Sequence, residues 1–168
     1  QIEGSGKPFT DNTFPADETM LSWKEYPRTV NGLSRYLSWF TEFKRPKDML
    51  PGAPISLFGA IFDHTGKLHV DSIEQGSIAD NYLLTVIAAL AEKKPTYIPS
   101  MFSQSKYTSE GIFTIKVYVK GRQELITIDD LLPTYSHAPA FAKPIYDAYW
   151  LPLIEKAFAK VHVNYEMM

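Results

Sequence analysis

The stretch from Gln75 to Lys94 constrains this chain more than any other: Gln-Gly-Ser-Ile-Ala-Asp-Asn-Tyr-Leu-Leu-Thr-Val-Ile-Ala-Ala-Leu-Ala-Glu-Lys-Lys. Its second half reads as one helix. Asn81 or Asp80 suits the N-cap, where a short side-chain oxygen accepts from the orphan backbone N–H groups. Lys93 and Lys94 complement the negative end of the helix dipole, and Pro95 stops the helix. Nearly every residue from Tyr82 to Ala91 is apolar. A helix apolar on all sides is enclosed by protein or lipid. This one falls short of the roughly 20 apolar residues a bilayer requires. It is therefore expected as a central core helix whose N-terminus faces the end of the core.

A length of 168 residues fits one domain with a sizeable core. A hydrophobic content of 45% against 21% charged residues places the chain among globular proteins. The net charge of -2 gives no electrostatic case for nucleic acid or anionic lipid as a partner. With no Cys, the sequence offers no disulfide, thiolate metal site or thiol nucleophile. No stretch resembles a signal peptide or a transmembrane helix.

Residues Gln1 to Asn12 read as coil, and Phe14-Pro15-Ala16-Asp17 as a turn into the domain. The division is a tail over 1–13 and a folded lobe over 14–168. Leu33, Tyr36, Leu37 and Phe40 lie at helical spacing, so a helix is expected over Leu33 to Phe43. Pro46, Pro51 and Pro54 keep Arg45 to Ala53 irregular. Asp63, His64 and His69 share neither a helix face nor a strand face, and read as a solvated turn rather than a metal site. Phe113, Ile115, Val117 and Val119 alternate with Thr114, Lys116 and Tyr118. After a turn at Lys120-Gly121-Arg122, Leu125 to Ile128 returns to complete a hairpin. Asp129 and Asp130 read as turn carboxylates accepting backbone N–H groups. Tyr135 to Pro144 reads as loop. A last helix is expected from Tyr149 to His162, with Pro152 tolerable only in its first turn.

Gln75 to Glu92 resembles the active-site segment of calpain-family cysteine proteases, Gln-Gly-x-x-Gly-Asp-Cys-aromatic-Leu-Leu followed by Ala-x-x-x-Leu-Ala. Further similarities are Phe43-Lys44-Arg45-Pro46, Leu57-Phe58-Gly59, Asp129 to Pro133, and Trp150 to Lys160 with Tyr165-Glu166. The resemblance implies an α+β fold, the mostly helical first lobe of a papain-like protease core with a small β-hairpin. It places Gln75 at the oxyanion-hole position and Asn81 at the nucleophile position, with Ala79 where the pattern has Gly. A carboxamide has no ionisable nucleophile, so Asn81 reads as an N-cap rather than a catalytic group. The resemblance also implies a calcium ion held partly by a Glu, matched by Glu155 as a candidate residual ligand, and an Asp, replaced here by Ser72.

The expected function is thus that of a catalytically inactive calpain-like domain, not an enzyme. It would act without a cofactor as a structural or interaction subunit whose partners are other protein chains. The alternative is a fragment of a calpain-like protease whose β-rich lobe, with the catalytic His and Asn, lies outside this sequence. The expected location is intracellular: cytoplasm, cilium or mitochondrion.

Overall fold

The strict alternation after Gly111 produces the longest strand pairing. A computed structural model describes residues 6–21, 42–59, 73–144 and 147–168. Strands β2 (Ile112–Val119) and β3 (Arg122–Asp129) pair antiparallel, with Val119 opposite Arg122 and Ile112 opposite Asp129. Lys120 and Gly121 have φ of 50° and 78°. Positive φ at both central residues matches the right-handed twist of the strands they join. Phe113, Ile115, Val117 and Ile128 turn inward and are buried, while Tyr118 and Leu125 are exposed. The hairpin expected from period-two patterning is present, with strands a residue or more longer than expected.

A second sheet joins β1 (Glu42–Lys44), β4 (Leu132–Tyr135) and β5 (Ala138–Pro139) in the order β1-β4-β5. Glu42 and Phe43, expected at the end of a helix, are in this strand instead. Pro46 disfavours helix immediately upstream. The backbone groups of 42–44 pair with Leu132 to Thr134, and Thr134 Oγ1 donates to Glu42 O at 2.8 Å. The rest of that expected helix lies outside the described residues. The stretch read as loop from Tyr135 is also partly sheet, because Ser136 and His137, both at positive φ, reverse the chain tightly enough for β5 to pair with β4.

Among the described residues the helices are α1 (Glu18–Leu21), α2 (Pro46–Met49), α3 (Asn81–Lys93), α4 (Tyr97–Met101) and α5 (Trp150–Val161), followed by a 3-10 turn at Tyr165–Met167. Pro152 lies in the first turn of α5, where its missing N–H costs no hydrogen bond. The enclosed helix is α5 rather than α3: every residue from Trp150 to Ala157 is buried, Glu155 and Lys156 included. α3 buries Leu83, Leu84, Ile87 and Ala91 but leaves Tyr82 and Val86 48% and 57% exposed. Its apolar residues therefore form two faces, of which one meets the core.

Leu83, Leu84 and Ile87 share a single core cluster with Leu57, the inner face of the hairpin and Trp150, Leu153 and Ile154. A second cluster gathers Phe14, Met20 and Leu21 against Ile78, Phe141 and Tyr165. Leu84→Ala and Ile154→Ala are each expected to destabilise the chain by about 2–5 kcal/mol, from lost transfer energy and the cavity left behind. Urea unfolding checks this; a loss below about 0.5 kcal/mol at either position, typical of surface changes, would put that helix outside the core.

Charges fasten these layers together. Lys156 Nζ pairs with Asp129 Oδ1 and donates to Leu131 O at 2.6 Å. Arg45 and Tyr107 both donate to Asp130, and Arg45 Nη2 also reaches Phe9 O at 2.6 Å. Burial pushes the Asp130 carboxyl up, while the Tyr107 hydroxyl and Arg45 draw it back. As expected, Asp129 accepts backbone N–H groups, from Leu131 at 3.1 Å and Asp11 at 2.8 Å. Lys160 reaches Asp11 Oδ2 at 2.7 Å, which holds the chain entering the lobe against α5.

Candidate functional site

The N-terminus of α3 opens onto the surface beside the segment that leads into it. That segment runs along 140–143: Lys143 N donates to Glu74 O at 3.0 Å and Ser77 N to Ala140 O at 3.1 Å. The approach is close enough to dictate one residue. A Cβ at Gly76 would lie 1.9 Å from Phe141 O, so only glycine fits. The second glycine of the resembled pattern is Ala79, which is exposed.

Asp80 occupies the cap position, and its carbonyl receives the first helical N–H bonds, from Leu83 at 2.8 Å and Leu84 at 3.2 Å. Its side chain makes no cap bond. Of the two N-cap candidates the sequence offers, Asp80 holds the position, while Asn81, read as the cap, is instead the first residue inside the helix. No side-chain bond accompanies the cap because the Asp80 carboxylate is turned into the protein and fully buried. Asn81 is exposed, and its carbonyl accepts from Thr85 Oγ1 at 2.7 Å.

An open groove of about 250 Å³ runs past this point, lined by Ile73, Gln75, Asn81, Leu84, Thr85 and Ala88. Gln75 and Asn81, the two positions singled out in the sequence, are thus brought together on one groove. The Gln75 amide is engaged with its own turn: Nε2 donates to Ile78 O at 2.7 Å and to Asp80 Oδ1 at 3.3 Å. Both partners are acceptors, so the NH₂ must face them. The N–H groups that would stabilise an oxyanion are therefore consumed internally. With a carboxamide at 81 and no thiol in the sequence, the described groove lacks a thiol nucleophile, and the Gln75 amide N–H groups are already engaged.

Behind the groove, Asp80 faces a second carboxyl. Glu155 in α5 is 1% exposed, and both its oxygens lie 3.1 Å from Ala142 N. Burial pushes the Glu155 carboxyl well up; the adjacent Asp80 carboxyl adds to this, and the Ala142 N–H and Lys143 oppose it. Asp80 Oδ2 has no hydrogen-bond donor. Sequence reading missed this pairing, because Asp80 and Glu155 lie on different elements and nothing local marks Asp80 as buried. Ser72, Asp63, His64 and His69 lie outside the described residues. Among the described residues no group of three or more His, Asp or Glu converges on a metal position, and no helix is long and apolar enough to cross a membrane.

The calpain family cysteine protease model matches residues 9–168. The chain is 30% identical over 162 residues to the calpain-type cysteine protease ADL1 of Oryza sativa subsp. japonica, covering 95% of this chain and 7% of that protein. It is 30% identical over 171 residues to calpain-10 of Rattus norvegicus, covering 94% and 22%. To calpain-B of Drosophila melanogaster it is 29% identical over 170 residues, covering 98% and 16%. The chain thus spans less than a quarter of the length of each of these relatives.

Proposed function

This chain belongs to the calpain family of cysteine proteases, and we propose that within that family it is a non-catalytic lobe serving as a structural or protein-interaction subunit of a larger assembly. The observation that carries the proposal is Asn81 at the head of α3, where the family pattern has its Cys. The inward-bonded Gln75 amide supports it, since a second catalytic position is spent on local structure. Residues 14–168 make up the lobe and 1–13 its tail. Gln75 and Asn81 are then degenerate active-site positions rather than catalytic ones.

The proposed contact surface is the groove at Gln75 and Asn81 with the exposed side of α3, where Tyr82 and Val86 stand out of the core. Exposed apolar rows rimmed by polar residues suit a protein partner. The partner is another protein chain, and the net charge of -2 disfavours nucleic acid.

Two measurements on the full-length protein test this reading. Purified protein incubated with casein and calpain peptide substrates, with and without calcium, is expected to show no turnover above buffer. Gel filtration of native extract is expected to place the protein in a high-mass fraction with co-purifying chains. The name of the Oryza sativa relative, a calpain-type cysteine protease, favours a second reading: part of a protease completed by another segment or chain. Turnover that survives further purification and is lost on mutation of Gln75 would establish that second reading. Elution as a monomer with no co-purifying protein would rule out the stable-subunit role.

A further inference from the structure

Strand β3 is paired with β2 on one side, and among the described residues no strand lies along its other edge. The hydrogen bonds fix which backbone groups that edge presents. Ser103 N donates to Thr114 O at 2.9 Å, so the Thr114 backbone faces away from β3. Thr127, opposite Thr114, therefore faces away from β2, and Lys160 Nζ reaches its carbonyl at 2.7 Å. By the period of two, the backbone groups of Gln123 and Leu125 point outward as well. Arg122 to Leu125 are all exposed. Proteins guard an open edge with a proline, a bulge or charges. β3 has no Pro, and its register with β2 runs unbroken from Ile112–Asp129 to Val119–Arg122. Its guard is therefore Arg122 and Glu124, and among the described residues neither has an ion-pair partner.

We propose that this edge pairs antiparallel with the same edge of a second copy of the chain, about a two-fold axis at Gln123. The charges select both the occupant and the register. With Gln123 opposite its own copy, Arg122 of each chain faces Glu124 of the other. Two opposite-charge pairs form, at the closely spaced positions where cross-strand side chains meet best. The neighbouring registers fail. A pairing centred on Glu124 sets that carboxylate against itself, and like charges directly opposite are destabilising. A pairing centred on Leu125 needs the backbone of Thr127, whose carbonyl Lys160 already holds. In the Gln123 register Leu125 falls opposite Gly121 of the copy, a turn residue with open space around it. The two hairpins then make one four-stranded sheet, with Tyr118, exposed beside Gln123, on its outer face. Such a contact is isologous, so each chain supplies the same patch. Its short length puts it with weak, transient interfaces rather than obligate ones.

The test is covalent trapping on the full-length protein, helped by the absence of Cys from this chain. A hydrogen-bonded cross-strand pair has its Cα atoms about 5.5 Å apart, within the range a disulfide spans. Gln123→Cys is therefore expected to cross-link to twice the mass on mild oxidation with copper phenanthroline. Tyr118→Cys, one strand further from the axis, is expected not to. Adding Arg122→Glu or Glu124→Arg to Gln123→Cys sets like charges face to face and is expected to lower cross-linking about tenfold. All of these positions are exposed, and circular dichroism checks that each variant is folded. Mixing the two charge-reversed proteins restores both pairs between unlike copies, and cross-linking is expected to return. Cross-linking of Tyr118→Cys as fast as Gln123→Cys would overturn the proposal, as would a Gln123→Cys yield that either reversal leaves unchanged. No cross-linked species from Gln123→Cys, or none recovered on mixing, would overturn it as well.

Discussion

Lys156→Met is expected to destabilise the chain by about 3–5 kcal/mol, the cost of breaking a buried ion pair from one side. Lys156 and Asp129 are both fully buried, and the ammonium also satisfies Leu131 O. Methionine nearly fills the same volume, so little of the loss comes from a cavity. The damage comes from Asp129, left as a buried carboxylate with two backbone N–H donors and no counter-charge. Desolvation makes such a carboxylate far costlier than an exposed one. Urea denaturation monitored by tryptophan fluorescence measures the loss. A change below about 1 kcal/mol would equate the pair with a surface salt bridge. The position matters beyond stability, because Asp129 also receives Asp11 N–H and so fixes the chain entering the lobe.

That pair marks the boundary between what the sequence makes legible and what it does not. Period-two alternation foretells the β2–β3 hairpin because every inward residue from Phe113 to Val117 meets the core, whatever the partner strand does. The α5 stripe is legible for the same reason: helical spacing depends on the helix alone. Asp129 reads correctly as an acceptor of backbone N–H groups because Leu131 is a local donor. Its ion pair is not legible, because Lys156 arrives from a helix distant in sequence. Likewise, the cap position of Asp80 is legible since Asp prefers caps, but the burial of its carboxylate, which leaves it without a side-chain cap bond, is not. Which apolar helix is enclosed also depends on neighbours. α3 is the more uniformly apolar, yet α5 lies between the hairpin and the 140–142 segment, and its Glu155 and Lys156 are buried with their partners. The Gln-Gly dipeptide acquires its reason only in three dimensions, where Phe141 O leaves no room for a Cβ at Gly76.

The same contrast decides what a restored thiol would do. Asn81→Cys is expected to yield a protein that alkylates but does not turn over peptides. At the first position of α3 the new sulfur would face the positive end of the helix dipole, which favours thiolate. Iodoacetamide should therefore modify it faster than a free thiol at neutral pH. Peptide hydrolysis additionally requires donors aimed at the developing oxyanion, and loss of one such donor costs about 10²–10³-fold in kcat. Here the Gln75 NH₂ is bound to Ile78 O at 2.7 Å and to Asp80 Oδ1 at 3.3 Å. Alkylation reports the thiol alone and turnover reports thiol, base and donor together, so the two readouts separate nucleophile loss from donor loss. Turnover by Asn81→Cys within that margin of an active relative would mean that Gln75 releases Ile78 O when substrate enters the groove. It would also mean that substitution at position 81 is the principal change separating this chain from its catalytic relatives.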